Sequence, residues 1–223
     1  MISLHDWIAK IPLNNREAVG PSSLSNGFRV ALFYRLISFQ MLLVLVFSST
    51  ALLFNASVAL SDQNDKRLPE LFNDLKQSAS HDAAQVVEKK IWEIWTSHKV
   101  PQIELLMDRG IKLLNSNNLD EAMVVFNSLL DQAPDFSEAW NKRATIYFLM
   151  GDFEKSMQDI QSTLALEPRH FGAISGLGLI FNALERPENA LKAFQRVQEI
   201  YPLSRSAKSF IRKLNKTLPG VRL

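Results

Sequence analysis

The sequence predicts an all-α fold: an α-solenoid of stacked antiparallel helix pairs, preceded by a hydrophobic signal or anchor helix. Two observations carry the solenoid prediction. Three prolines, Pro134, Pro168 and Pro202, stand at equal intervals along the chain. Between them, large and small side chains recur in one pattern at helical spacing. A period of this length is typical of proteins whose repeating unit is one helical hairpin.

The period divides the chain into three units, at residues 103–136, 137–170 and 171–204. In each unit, positions 4, 8 and 11 share one helix face and positions 20, 24 and 27 share another, so the two faces are expected to pack together. Positions 8 and 20 are small, which would let the two helices approach closely: Gly110, Ala144 and Gly178, then Ala122, Ser156 and Ala190. Turn-forming pairs separate the helices, at Asn117-Asn118, Gly151-Asp152 and Arg186-Pro187.

On this pattern all three units resemble the tetratricopeptide repeat (TPR). The resemblance implies a right-handed superhelix whose first helices line a concave surface, and it implies no settled activity. The order of a leader, the stretch LFNDLKQSASHDAAQVVEKKIWEIW and then the repeats is similar to that of small TPR proteins of alphaproteobacteria, over residues 68–204.

Residues 1–61 predict export. Residues 1–35 form a leader with four basic and two acidic side chains, and residues 36–61 carry no charge. Such a run is long enough to span a bilayer, and small residues near Ala59 suit a signal peptidase. A cleaved signal peptide and a retained transmembrane anchor therefore both remain open. Either predicts a periplasmic protein, or one anchored in the inner membrane and facing the periplasm, with possible membrane association through residues 36–61.

Two segments flank the repeats. Residues 62–102 are expected to form a linker and a degenerate capping helix pair, with Trp92 and Trp95 as core residues or, alternatively, as an exposed binding patch. Lys76 and Glu88 stand where the repeat pattern needs small residues, so we expect this pair to close one end of the stack. Residues 205–223 are expected to form a C-terminal capping helix and tail. The outer face of that helix is basic, which indicates a solvated cap or, alternatively, contact with anionic lipids.

Composition removes several functional classes. The chain has no cysteine, so thiolate metal sites and thiol nucleophiles are absent. Its net charge of +2 gives a weak case for nucleic-acid binding. The four histidines show no metal-ligand spacing, and His170 suits a turn or cap role at a unit junction. The sequence therefore predicts no nucleic-acid partner, no metal, no cofactor and no catalytic residue.

Positions 2, 5, 9 and 12 of the first helices are expected to face the concave surface. The candidate partner-binding residues share these positions: Met107, Ile111, Asn141, Thr145, Phe148, Ser175, Leu179 and Asn182. Amides there could pair with the backbone of an extended peptide while apolar side chains hold its side chains. The carboxylate clamp of some co-chaperones in the family is not reproduced, because Met107, Ile111 and Gly176 stand at its places.

Two further features allow two interpretations each. The glycines at 172, 176 and 178 fit close helix packing or an open groove floor. The arginines at position 7, Arg109 and Arg143, fit packing of their stems between units with the heads in water or paired to acids, or capture of a partner's carboxylate.

The functional hypothesis is a TPR scaffold that mediates protein–protein interaction in the bacterial cell envelope, holding a protein or peptide partner on its concave face. It is not expected to be an enzyme, because an open solenoid face gives little shelter from water. The alternatives are a regulatory or catalytic domain of an envelope enzyme, and a co-chaperone or assembly factor.

Overall fold

The computed structural model describes residues 62–218, and every regular element among them is helical. A short 3-10 helix spans Asp62–Asn64. The nine α-helices of this part of the chain are α1 Leu68–Gln77, α2 His81–Thr96, α3 Pro101–Asn115, α4 Leu119–Gln132, α5 Ser137–Leu149, α6 Phe153–Leu166, α7 Phe171–Ala183, α8 Pro187–Ile200 and α9 Arg205–Thr217.

The predicted leader and the predicted signal or anchor helix, at residues 1–35 and 36–61, lie outside the described residues, as does the tail from residue 219. Within residues 62–218, no helix combines the length and the apolar character that crossing a membrane requires.

Each repeat is one helical hairpin, α3–α4, α5–α6 and α7–α8, with the predicted period. Position 15 of every unit is left-handed, at Asn117 (φ 58°), Gly151 (φ 80°) and Glu185 (φ 55°). The following residue donates its N–H to the carbonyl five residues back, for example Asp152 to Tyr147 at 2.9 Å. This is the Schellman arrangement that ends a helix and turns the chain sharply. It fixes the antiparallel return of each second helix.

The small residues lie where the paired helices touch. A Cβ added at Gly110 would stand 2.7 Å from Cζ of Phe126, and one at Gly178 would stand 2.7 Å from Cζ of Phe194. In the middle unit, the hydroxyl of Ser156 donates to the carbonyl of Ala144 at 2.7 Å. Glycine is favoured at positions 110 and 178 because a phenylalanine ring occupies the space beside the backbone and would have to shift to admit a side chain.

Successive repeats bury positions 3 and 10 against the unit before them. Ala139 and Ile146 belong to an apolar cluster with α3 and α4, and Ala173 and Ile180 belong to one with α5 and α6. The same positions of the first unit are Leu105, which is 63% exposed, and Lys112, which is also exposed. The first unit therefore presents a partly charged face where the others present an apolar one.

The N-terminal helix pair does not stack on that face. It packs in one apolar cluster with α7, α8 and α9 instead, through residues such as Phe72, Ile91 and Trp95. The expectation that it closes one end of the stack therefore differs from the structure. Lys112 gives the physical reason, because burying a lysine against a helix pair would desolvate its charge.

The pair α1–α2 and the 3-10 helix contact the turns that follow each of the three repeats. The amide of Gln63 donates to the carbonyl of Asp135 at 2.6 Å, the guanidinium of Arg169 stands 4.2 Å from the ring centroid of Phe72, and the hydroxyl of Tyr201 donates to Glu88 at 3.1 Å. Burial and the charge of Glu88 raise the pKa of Tyr201 well above its usual range. The helix pair α1–α2, near the start of the described chain, therefore packs against the third repeat.

The C-terminal helix α9 covers the last hairpin. It buries Ala207, Ile211 and Leu214, and the ring of Phe210 stacks on Phe194 with centroids 4.5 Å apart. Its basic side chains remain exposed.

Candidate functional site

A cavity of about 140 Å³ lies between the first helices of the second and third repeats, α5 and α7, with α6 beneath it. We call it the α5–α7 cavity. It opens on the side of the first helices, which is the side that the repeat pattern predicts for binding. Ten residues line it: Asn141, Ala144, Thr145, Phe148, Ser156, Ile160, Gly172, Ser175, Gly176 and Leu179. None of these side chains is ionisable, so the lining is apolar with a few hydroxyl and amide groups.

The structure brings together five of the eight candidate residues, which are Asn141, Thr145, Phe148, Ser175 and Leu179. The other three lie elsewhere. Met107 is fully buried in the cluster of α3, α4 and α5, Ile111 packs half-buried against that cluster, and Asn182 is exposed outside the cavity. Met107 is inaccessible to a partner because its flexible side chain fills the core of the first repeat.

The three glycines at 172, 176 and 178 were expected to serve close helix packing or to leave an open groove floor. Gly178 serves close packing of α7 on α8, whereas Gly172 and Gly176 line the cavity. A Cβ at position 176 would stand 3.2 Å from Cδ1 of Ile160, closer than ordinary van der Waals contact, so Gly176 also lets α6 approach α7. Gly172 and Gly176 are one helical turn apart on the face of α7 that borders the cavity, and the ring of Trp92 fills the space beside Gly172.

Four residues that line the cavity, and one neighbour, do not stand at the repeat positions that were expected to face the concave surface. Ala144, Ser156 and Ile160 belong to the packed faces of the repeat but also border the cavity from below, as Gly176 does from α7. Leu149, 51% exposed, lies one turn after Thr145 on the same helix face. An exposed leucine at position 13, where the other units have Asn115 and Ala183, is the signal that could have found it.

A buried polar cluster closes the amino-terminal end of α5. Glu138 is fully buried and accepts hydrogen bonds from Asn141 Nδ2 at 2.8 Å and His170 Nε2 at 2.9 Å, and Lys142 Nζ lies 2.8 Å from its other oxygen. Burial by itself would raise the pKa of Glu138, but the charge of Lys142 and the hydrogen bonds from His170 and Lys142 lower the pKa to about 2. Glu138 is therefore ionised, and its charge is matched within the fold.

His170 caps helix α7, as its place at a unit junction predicts. Its Nδ1 accepts the N–H of Ala173 at 3.1 Å, so Nε2 carries the ring proton and donates it to Glu138. The indole of Trp95 stacks on the imidazole, with ring centroids 4.0 Å apart. His170 therefore links two repeats by hydrogen bonds, to Glu138 in the second and to Ala173 in the third.

The second helix of the N-terminal pair lies beside the start of α7. The ring of Trp92 occupies the space where a Cβ at Gly172 would lie, 2.7 Å from Cη2, and Lys142 Nζ stands 5.3 Å from the ring centroid. Trp95 is fully buried and Trp92 half-buried, so both tryptophans are core residues. Trp92 thus packs against the start of α7 and lies near Lys142 of α5.

The two arginines at position 7, Arg109 and Arg143, have different surroundings. Arg143 makes a two-pronged pair with Asp159, at 2.7 and 2.8 Å, and a third bond to Asn127 at 2.9 Å. The hydrogen bonds to Asp159 raise the pKa of Arg143. Arg143 is therefore engaged inside its own repeat, whereas Arg109 is exposed.

A larger open cleft, of about 660 Å³, separates α1 from α2. Both signs of charge line it, from Arg67, Glu70, Asp74, Lys90 and Glu93. The smaller α5–α7 cavity is the better candidate site, since ligand pockets are mostly apolar with a few convergent polar groups. Across residues 62–218, no three histidine or acidic side chains are grouped as a metal site would need.

Comparison with known proteins places these observations in a family. Models described as tetratricopeptide repeat match residues 137–170 and 173–204. A TPR repeat-containing protein of the alphaproteobacterium Rhizobium etli is 35% identical over 162 residues, which cover 73% of this chain and 79% of that protein. The small glutamine-rich tetratricopeptide repeat-containing protein 2 of Saccharomyces cerevisiae is 24% identical over 63% of this chain and 41% of its own length.

Solved structures share the helical architecture. The TPR domain of Arabidopsis OM64 matches with a TM-score of 0.50 at 16% identity, over 52% of this chain and 96% of that domain. The type III secretion chaperone SycD of Yersinia enterocolitica, in complex with a peptide of the translocator YopD, matches with a TM-score of 0.50 at 13% identity, over 53% of this chain and 96% of SycD. At these identities the likeness is one of fold. The stretch aligned with the Rhizobium protein is longer than the three units together, so that likeness extends beyond the repeats. The chain belongs to the tetratricopeptide repeat family.

Proposed function

We propose that this protein is an interaction scaffold that holds an extended segment of a partner protein in the α5–α7 cavity. One observation carries the proposal: five residues chosen by repeat position alone line a single uncharged cavity on the side of the first helices. An apolar side chain of the partner would enter between Phe148 and Leu179. The hydroxyls of Thr145 and Ser175 would pair with the partner's backbone beside it.

The chemistry of the lining favours binding over catalysis. General acid–base and nucleophilic catalysis need an ionisable or activated group beside the substrate, and the ten lining residues include none that is ionisable. The nearby charges of Glu138 and Lys142 are paired with each other. For the same reason the cavity fits an uncharged segment and not a terminal carboxylate, and we expect affinity to depend only weakly on salt.

Side-chain truncation tests the cavity directly. A partner is first captured on the full chain by cross-linking, and its interacting segment is synthesised and titrated by calorimetry. Phe148→Ala and Leu179→Ala should each weaken binding about 10-fold or more, because each removes roughly 1.5–3 kcal/mol of apolar contact.

Val124→Ala is the matched control, since Val124 is 68% exposed on α4 and away from the cavity. Gly176→Ala should also weaken binding by partly filling the cavity. If folded Phe148 and Leu179 variants bind as tightly as the wild type, the cavity is not the site. Asn141→Ala is a poor probe, because the amide of Asn141 also supports Glu138.

We further propose that the scaffold works in the bacterial cell envelope, on the periplasmic side. The support is sequence-based: four basic residues precede the uncharged run at 36–61, and positive charge stays on the cytoplasmic side. A reporter that is active only outside the cytoplasm, fused after Leu223, should be active. An inactive reporter on an intact fusion would contradict export and leave the binding proposal standing.

A further inference from the structure

Helix α9 presents a row of basic side chains. Arg205, Lys208, Arg212 and Lys216 follow one another at spacings of three and four, with Lys213 beside them, and all five are exposed. None of them makes an ion pair with an acidic residue within residues 62–218. At 1.5 Å per residue the row is about 17 Å long.

The orientation of α9 is fixed by its opposite face. Ala207, Ile211 and Leu214 are buried on the last repeat, and the ring of Phe210 stacks on Phe194. The basic row therefore points away from the protein and cannot fold back onto it. From residue 203 to the end of the sequence there are six basic residues and no acidic one, although the chain as a whole carries only +2.

The composition of the row distinguishes between classes of partner. Protein interfaces are centred on apolar or aromatic anchors, and single-stranded nucleic acids stack on exposed aromatic rings. Between the cations of α9 stand Ser206 and Ser209, which are exposed, and no exposed aromatic residue. A row of cations without anchors complements a surface of spread negative charge, such as anionic lipid headgroups.

We propose that the basic face of α9 rests on the anionic headgroups of a membrane. The uncharged run at residues 36–61, long enough to span a bilayer, would keep the helix near such a surface. Because the apolar side of α9 is buried in the protein, the contact is electrostatic and the helix does not insert.

A local probe tests this contact even if the leader binds lipid by itself. The chain lacks cysteine, so the Ser209→Cys variant of the full chain takes a single fluorophore on the basic face, and the Val124→Cys variant takes one on the exposed side of α4. Vesicles are made of phosphatidylcholine alone or of phosphatidylcholine mixed with phosphatidylglycerol, and both kinds contain a headgroup-attached quencher. We expect quenching at position 209 only with the anionic vesicles, and none at 124.

Charge removal completes the test. In the Ser209→Cys background, Lys208→Gln, Arg212→Gln and Lys213→Gln together should remove most of the quenching at position 209, because about fivefold per charge weakens the contact roughly 100-fold. Removing three exposed lysines elsewhere, by Lys76→Gln, Lys90→Gln and Lys112→Gln, should change it little.

Three results would overturn the proposal: no quenching at 209, quenching that survives the α9 substitutions, or equal loss in the control triple variant. If a polyglutamate peptide or an oligonucleotide covers the fluorophore at position 209 while anionic vesicles do not, the basic face of α9 binds that other partner. None of these results bears on the α5–α7 cavity, which lies on other helices.

Discussion

Glu185 occupies a backbone conformation that suits glycine or asparagine, and the two other repeats have those residues. Position 15 is Asn117, Gly151 and Glu185, all with positive φ. A side chain with a Cβ costs about 1 kcal/mol in the left-handed region relative to glycine. The turn keeps its geometry because Arg186 donates to the carbonyl of Phe181 at 2.8 Å.

Glu185→Gly should therefore stabilise the protein by about 0.5–1 kcal/mol, measured as the free energy of unfolding in urea. Gly151→Ala is the reciprocal control: nothing lies within 4 Å of the added Cβ, so its loss of stability reports the backbone strain alone. Destabilisation by Glu185→Gly would mean that the carboxylate supports the turn in another way.

Glu138 should make stability depend on pH in acid. Its pKa falls from 4.5 to about 2 on folding, so it contributes stability above pH 4.5 that is lost as the pH falls towards 2. The shift corresponds to about 3 kcal/mol at neutral pH. Urea unfolding of the wild type and of Glu138→Gln should differ by about this amount at pH 7 and converge near pH 2.

The exposed Glu104, at the same position of the first repeat, provides the control as Glu104→Gln. Asp65 and Asp152 also have lowered pKa values, but both variants retain them, so their effects cancel in the difference. A constant gap between wild type and Glu138→Gln from pH 7 to pH 2 would show that the carboxylate charge contributes nothing.

At the scale of one hairpin, the close approach of two helices depends on position 8. Gly178→Ala should destabilise the protein by about 1–3 kcal/mol, because the added methyl meets the ring of Phe194. Thermal unfolding measures the loss. In a Phe194→Leu background, Gly178→Ala should cost less stability than it does in the wild type. Equal losses in the two backgrounds would contradict the packing described for Gly178 and Phe194.

The hairpins were predictable because each is specified within a single repeat. Large residues at position 24 meet small ones at position 8, and the turn residues lie between them, so the sequence pattern contains both sides of every contact. The cavity was partly predictable for the same reason. Its wall residues follow helix position, whereas its floor, at Ser156 and Ile160, depends on how far α5 and α7 separate. Trp140 stands at position 4, on the face expected to pack against the second helix, but is only half-buried, its indole N–H donating to the carbonyl of Pro134 at 2.7 Å.

At the scale of the whole described chain, the position of α1–α2 was not predictable from the repeat period. Counting back one period aligned Trp92 and Trp95 with the core of an earlier unit, and they are core residues. Their partners, however, are His170 and Phe171, at the junction of the second and third repeats. The pattern identified the buried face but carried no information on which distant surface would cover it.

Trp95→Ala should consequently weaken the third repeat more than the first. Loss of a fully buried indole costs about 3–5 kcal/mol, and amide hydrogen exchange should accelerate in α7 and α8 more than in α3 and α4. Trp140→Ala, which removes a half-buried indole from the middle repeat, is the control and should leave α7 and α8 protected. Uniform acceleration across all helices in Trp95→Ala would show that the chain unfolds as one unit.

The crossing of α1–α2 over the later turns also sets an order for folding during synthesis. The helix that carries Trp92 and Trp95 leaves the ribosome well before Phe171, Tyr201 and the start of α9 have been made. At about 5–20 residues per second, this delay lasts roughly 4 to 20 seconds. The first repeat can form meanwhile, because its contacts are local. The N-terminal pair must wait with its tryptophans exposed, so the earliest part of the described chain to be made is among the last to be buried.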